Sequence, residues 1–347
     1  MDMSALPLVK PLGCGELKER VQNVLDCKTK PKGSLGLLEK IAVKVGCILN
    51  TETPSLILPQ MLVCAGDHGI TAHPVSAFPS AVTWQMVDNF LAGGAAVSVL
   101  TRQHGIKLTV VDCGVRHCFA PRDGLLIRKI AEGTHDILNS PAMGEDQCEK
   151  AMLNGAEVVR SLPGNALLLG EMGIGNSSSA ALLMSRFTGI DIALCTGAGT
   201  GLNAAGIESK VAILRRALLR HRNSANPVTE LANLGGFEIA TLVGAILQAA
   251  HDNRVIIVDG FITSAAVLVA NRIASGVLDR CLFAHCSDER GHAAMLSSMG
   301  VTPIVSLGMR LGEGSGGALV WPLIVSACRI LCEMASFASS GVSEKAR

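Results

Sequence analysis

The sequence predicts an α/β fold, a doubly wound and mostly parallel sheet, and three observations point to it. From residue 61 onward, short apolar runs rich in β-branched residues alternate with longer alanine-rich stretches. Strand–helix alternation over such a length builds parallel sheets covered by helices. The composition agrees: 49% of the residues are hydrophobic but only 3% are aromatic, with no tyrosine. That balance suits helix-covered strands better than a β-sandwich. Glycine-rich or polar turns also follow the apolar runs, at the strand ends where doubly wound sheets hold their ligands. At 347 residues the chain forms one large or two modest domains and buries a substantial core.

Taken in order, residues 12–50 alternate charged and apolar positions at helical spacing, interrupted at Lys30-Pro31-Lys32-Gly33-Ser34. Apolar runs at 61–65, 107–112, 166–170, 190–195, 255–259, 281–285 and 303–307 then read as strands. Residues 80–91, 147–161, 179–187, 208–221, 238–251 and 263–275 read as helices. The tail after Ser339 is small and polar and is expected to fray.

Composition also excludes several classes. A net charge of +1 argues against nucleic acid or an acidic membrane surface as partner. The longest apolar run, 318–328, contains Pro322 and falls short of a membrane span. Asp2 and the lack of an extended apolar stretch behind it argue against a signal peptide. Twelve cysteines are scattered through apolar segments with no CxxC pair. That pattern points to reduced thiols in a cytoplasmic setting.

The most informative segment is GEMGIGNSSSAA at 170–181, lying between a strand-like run and a helix-like run. Its glycines let backbone N–H groups approach a ligand, and the helix that follows directs its positive end to the same place. The segment therefore suits an anionic sugar. Its spacing is neither GxGxxG nor GxxxxGK[ST], so dinucleotide and P-loop readings fail. Glu171 within it is suited either to sugar hydroxyls or to capping its own helix start. GAGTG at 197–201 places Gly197, Gly199 and Gly201 in one turn, suited to an anion or simply to a tight bend. Lys210, read as opening the next helix, either pairs with an anion or is a solvated helix lysine. Glu313 in RLGEGSGG stands among glycines. Where little else is charged, such a carboxyl is raised in pKa and suits a general base near neutral pH. An exposed loop glutamate is the alternative, and sequence alone does not separate the two. His68, His285, Cys286, Asp288, Glu289 and His292 raise a metal site, but their spacing matches no common zinc pattern. Helix capping and rim polarity explain Ser287 to Glu289 more simply. The reading therefore includes no metal and no organic cofactor.

Together these segments resemble the nicotinate-nucleotide–dimethylbenzimidazole phosphoribosyltransferase family. The resemblance is carried by KPKGSLGLLE (30–39), CAGDHGI (64–70), GGAAVSVL (93–100), GEMGIGNSSSAA, GGFEIATLVGAILQAA (235–250), VDGFITSAA (258–266) and MRLGEGSGGAL (309–319). These stretches follow one another in family order across nearly the whole chain. The resemblance implies a three-layer α/β domain over 51–330 and a small helical domain from both termini, 1–50 with 331–347. It implies a homodimer with partner residues near each site. The substrates it implies are nicotinate mononucleotide and an aromatic base such as 5,6-dimethylbenzimidazole, and the products are α-ribazole phosphate and nicotinate. Glu313 falls on the family's general base, Glu171 on the acid of the nicotinate-nucleotide site, Lys210 on its basic partner and Ser287 on a nearby polar contact. Gly173 and the turn containing Gly197, Gly199 and Gly201 match backbone donors. Met172 and Leu311, neighbours of the two acids, count with the substrate-binding residues. Phe78 and Met86 fall on the aromatic-base pocket, where well-known members carry polar side chains.

Two rival readings come from other classes. A nucleotide-binding oxidoreductase needs a dinucleotide fingerprint after the first strand, and CAGDHGI does not supply one. A catalytically silent paralogue is opposed by the joint presence of Glu313, Glu171 and Lys210, while Phe78 and Met86 keep that reading open.

Overall fold

The computed structural model describes residues 6–343. Six strands form one sheet: β1 (Gln60–Gly66), β2 (Lys107–Gly114), β3 (Leu125–Ile127), β4 (Ala166–Met172), β5 (Val255–Val258) and β6 (Cys281–Phe283). Their spatial order is β3-β2-β1-β4-β5-β6, and every neighbouring pair is parallel. The chain thus winds outward one way from β1 and then, from β4, the other way. This leaves a switch point between β1 and β4, where Val63 pairs with Val110 on one side and Gly170 on the other.

Parallel strands covered on both faces are apolar throughout, and alternate side chains go to opposite layers. Leu62, Cys64, Leu167 and Leu169 join one core. Met61, Val63, Ala65 and Leu168 join the other. The helices among the described residues are α1 (Gly15–Asp26), α2 (Leu37–Ile48), α3 (Val82–Ala92), α4 (Ala96–Gln103), α5 (Glu145–Ser161), α6 (Asn176–Thr188), α7 (Ile192–Cys195), α8 (Ala204–Arg220), α9 (Pro227–Leu234), α10 (Phe237–His251), α11 (Phe261–Ile273), α12 (His292–Ser298), α13 (Ser315–Glu333) and α14 (Phe337–Ser340). Helices α5, α6, α9, α10 and α11 build the first core, and α1, α2, α3, α4 and α13 the second. The result is a three-layer doubly wound α/β fold. Helices α5 and α10 approach closely because Gly155 and Gly244 face each other's helix. A methyl group on Gly155 would collide with the Thr241 carbonyl, and one on Gly244 with that of Met152.

The segment after α1 meets the segment after α13. Thr29 N–H donates to the Ala335 carbonyl at 3.0 Å, Phe337 N–H to that of Cys27 at 3.1 Å, and Lys28 Nζ to that of Met334 at 2.6 Å. Helix α13 is 19 residues long and apolar enough to cross a membrane by length and composition, longer than the apolar run at 318–328. Here it is a core helix, with Ala318, Trp321, Ile324 and Leu331 packed inside.

Three differences from the expected elements stand out. Residues 190–195 form no strand: Asp191 accepts from Ala193 N–H at 2.9 Å and starts the one-turn helix α7. Its buried positions, Ile192 and Cys195, are three apart, which is helical spacing. Residues 303–307 form no strand either, and only Val305 bridges to His285. Pro303 cannot donate to a ladder, which confines such a run to a sheet's edge. Strand β3 was not expected, being three residues long. All twelve cysteines are free thiols, seven of them buried. Asp2 and residues 344–347 of the tail lie outside the described residues.

Candidate active site

The carboxyl ends of β1, β4, β5 and β6 open onto one cavity of about 430 Å³ that straddles the switch point. Open sheets of this kind bind ligands in that crevice. The segment after β1 contributes Val75, Ser76 and Phe78, and α3 contributes Val82 and Met86. Glu171 and Met172 come from the end of β4, and Gly173 to Ser177 follow them. Gly260, Phe261, His285, Ser287 and Glu289 arrive after β5 and β6, and Arg310 to Glu313 from the loop before α13.

Glu313 occupies the tightest part of that loop. Its φ is +66°, between Gly312 at +80° and Gly314 at +92°. Glycine adopts such angles freely, whereas holding a glutamate there costs about 1–3 kcal/mol and needs surrounding support. The side chain is 7% exposed, and its Oε2 is buried without a hydrogen-bond partner among the described residues. Burial pushes its pKa up to about 7, the negative charge of Asp259 adds to the rise, and the backbone N–H of Val97 opposes it. The exposed-loop alternative therefore does not hold.

Glu171 lies within β4, ahead of α6, and does not cap that helix. It accepts from the side chain of Asn176 and from the backbone N–H of Glu313 at 3.3 Å. Burial first, and Asp259 second, lift its pKa to about 8 against those two hydrogen bonds. Asp259, just past β5, accepts from Gly314 N–H at 3.1 Å and Gly317 N–H at 3.0 Å. Its pKa rises to about 7 through burial, despite these amide contacts. Three acids thus gather around one loop.

Lys210 does not open a helix: it is the seventh residue of α8 and only 1% exposed. Its Nζ donates to Ser177 Oγ at 2.9 Å. Burial lowers its pKa to about 8, with Glu289 pulling in the opposite direction. It stands behind the cavity wall, in contact with the lining residue Ser177. The 197–201 turn follows α7, not a strand, and only its Gly199 and Thr200 line the cavity. Gly197 packs against the Glu289 carboxylate, and Gly201 has open space around it.

Ser287 N–H donates to His292 Nδ1 at 2.9 Å, and the Ser287 hydroxyl lies 2.8 Å from the same nitrogen. Burial and then His285 push the His292 pKa down to about 3. His292 is therefore neutral, with Nδ1 accepting and Nε2–H directed at Ser264 Oγ, 3.0 Å away. His68 is engaged elsewhere, 2.7 Å from Glu238 through Nε2. No group of three or more His, Cys, Asp or Glu side chains among the described residues is arranged to hold a metal ion.

Of the residues singled out from sequence, the cavity gathers Glu313, Glu171, Gly173, Gly199, Ser287, Met172, Leu311, Phe78 and Met86; Lys210, Gly197 and Gly201 lie outside its lining. Phe78 and Leu311 are 53% and 56% exposed, as residues at an open mouth. Ser177, Thr200 and Arg310 also line it and were not anticipated. Each lies inside a motif already noted, so proximity in sequence was the available signal. On α3, between the lining residues Val82 and Met86 in sequence, Trp84 stacks on His117 with ring centroids 4.7 Å apart.

A family model described as DBI_PRT, phosphoribosyltransferase, matches residues 14–342. The chain belongs to this phosphoribosyltransferase family. Among curated relatives, the nicotinate-nucleotide–dimethylbenzimidazole phosphoribosyltransferase of Variovorax paradoxus (strain S110) is 61% identical over 340 residues, covering 98% of this chain and 97% of its own. The protein of the same name from Dechloromonas aromatica (strain RCB) is 52% identical, covering 95% and 96%. A crystal structure of nicotinate-nucleotide-dimethylbenzimidazole phosphoribosyltransferase from Thermus thermophilus superposes with a TM-score of 0.91 at 34% identity, covering 95% of this chain and 99% of that one. The family's fold is therefore the three-layer sheet described above, and the oxidoreductase reading is set aside.

Proposed function

We propose that this chain transfers the phosphoribosyl group of nicotinate mononucleotide to an aromatic base such as 5,6-dimethylbenzimidazole, giving α-ribazole phosphate and nicotinate. The observation that carries the reading is Glu313, a buried carboxyl with an unpartnered oxygen facing a cavity and a pKa of about 7, in a member of this family. The phosphate is held by backbone N–H groups near Gly173 and Gly199, with the charge of Lys210 acting through Ser177. Glu171 holds the ribose hydroxyls. Ionised Glu313 takes the proton from one nitrogen of the base while the lone pair of the other attacks C1′. The bond from C1′ to the pyridinium nitrogen breaks, and its electron pair returns to the ring as nicotinate leaves. The leaving group starts as a cation, so no general acid is required. The transition state resembles an oxocarbenium ion, and attack from the opposite face inverts C1′, as in inverting glycoside cleavage.

The base lies against Phe78, Val82, Met86, Met172 and Leu311. Two of these, Phe78 and Met86, offer little hydrogen bonding, so a buried amino or hydroxyl group on the base would cost about 1–3 kcal/mol. The working unit is a homodimer in the cytoplasm. The small helical domain of 1–50 with 331–347 belongs to the same proposal, supported by the hydrogen bonds between residues 27–29 and 334–337.

The test is nicotinate release from nicotinate mononucleotide against a panel of bases. Dimethylbenzimidazole is expected to support turnover with a higher kcat/KM than adenine. Absence of turnover with every base would overturn the reading in favour of a silent paralogue. Preference for adenine would overturn the assignment of Phe78 and Met86 to the base.

A further inference from the structure

The turn that presents Glu313 is held by the side chains of two other acids acting on its backbone. Gly312, Glu313 and Gly314 adopt three left-handed conformations in succession. Such a run lacks the regular hydrogen bonds of helix or strand, so its N–H groups need other acceptors. Glu171 Oε1 takes the Glu313 N–H at 3.3 Å, and Asp259 Oδ2 takes the next one, on Gly314, at 3.1 Å. Asp259 Oδ1 takes Gly317 N–H at 3.0 Å, inside the first turn of α13. One carboxylate thus spans from the residue after Glu313 into the helix that follows. Asp259 is 1% exposed and does not line the cavity, so it has no access to a ligand there.

We propose that Asp259 is a positioning residue for Glu313. By bridging Gly314 and Gly317, it fixes the turn that aims the Glu313 carboxyl into the cavity. This rests on Glu313 being the base in the reading above. The alternative role for a buried acid at this place is stability alone, through capping of a long helix. The two roles predict different kinetics. A structural cap would reduce the amount of folded protein but leave the turnover of each folded molecule intact. A positioning residue changes turnover itself, because misplacing a reacting group by about 1 Å costs ~10²-fold.

The titratable groups packed about this turn are Glu171 from β4, Asp259 after β5 and His285 after β6, while α4 brings only the backbone N–H of Val97. Removing the negative charge of Asp259 leaves Glu313 easier to ionise. The acid limb of the kcat profile in Asp259→Asn should therefore move to lower pH.

The experiment compares wild type, Asp259→Asn, Glu313→Gln and the double variant, with melting curves to count folded protein. Asp259→Asn is expected to lose about 10–100-fold in kcat, with KM for nicotinate mononucleotide within about twofold and the acid limb displaced downward. In the Glu313→Gln background the same substitution should cost no more than about twofold, since there is no base left to aim. Backbone amide exchange over 312–317 should quicken in Asp259→Asn. That last readout needs no substrate, so it tests the clamp even if wild type releases no nicotinate, an outcome that would overturn the functional reading alone. Wild-type kcat and exchange in Asp259→Asn would overturn the proposal, as would an equal loss in both backgrounds. If the asparagine variant does not fold, Asp259→Glu takes its place. It keeps the charge but displaces it by one methylene, so kcat should fall without the downward shift of the acid limb, and an unchanged kcat would be decisive against the clamp.

Discussion

Two buried glutamates in this molecule, Glu39 on α2 and Glu313 before α13, are 5% and 7% exposed, yet their surroundings are opposite. Glu39 has a cation at hand, Lys30 Nζ at 2.8 Å, and accepts the Leu35 N–H at 3.1 Å. Glu313 has an oxygen with no hydrogen-bond partner among the described residues, and two further acids, Glu171 and Asp259, stand around its loop. Burial alone therefore says little about purpose. A buried acid with its counter-ion is part of the fold, whereas one left uncompensated beside a cavity is kept for chemistry.

The comparison yields graded predictions. Glu313→Gln should lose roughly 10²–10⁴-fold in kcat while its melting temperature stays level or rises, because an uncompensated buried acid has gone. Near-native nicotinate release in that variant would dissolve the contrast. Lys30→Ala should do the reverse, leaving Glu39 buried without its cation. Breaking such a pair costs about 3–5 kcal/mol of stability, measurable by denaturant unfolding, with turnover per folded molecule unchanged. Lys210→Ala should weaken nicotinate mononucleotide by less than the roughly 1.5–3 kcal/mol of a direct charge-assisted contact, because its charge acts through Ser177. The affinity for the base should be spared, and equal losses in calorimetric titrations of the two ligands would remove Lys210 from the site.

The smallest expected effect is a slope. Burial raises Glu313 from 4.5 to about 7 and Glu171 from 4.5 to about 8. Below pH 4.5 both groups are protonated folded or unfolded, and their contribution to stability is fully present. As pH climbs from there toward 7 and 8, the unfolded chain releases protons that the fold retains, so stability falls. Melting temperature should decline over that window, and the decline should be shallower in Glu313→Gln. An identical slope in the variant would mean that Glu313 titrates normally.

Much of the fold was legible because strands covered on both faces must be largely apolar, as the runs 61–65 in β1, 166–169 in β4 and 255–258 in β5 are. The run at 190–195 misled because a short run with five apolar residues of six fits a strand or a single helical turn equally well, and only packing of Ile192 and Cys195 decides. At the site, the glycines around Glu313 advertised an unusual backbone. The burial of Lys210 could not be read, since it depends on α8 lying against the 176–188 helix, distant in sequence. Nor could the bond between Asp259 and Gly314, 55 residues apart, since it joins a side chain to a backbone N–H and leaves no pattern of residue types.

The stack of Trp84 on His117 has a practical consequence. The chain has two tryptophans and no tyrosine, so its near-ultraviolet emission has only two origins. Trp321 is sealed in the core, a constant background. Trp84 belongs to the same helix as Val82 and Met86, which wall the cavity. Filling that cavity should change the emission of one indole while the other stays silent, giving an unlabelled optical readout of each binding step.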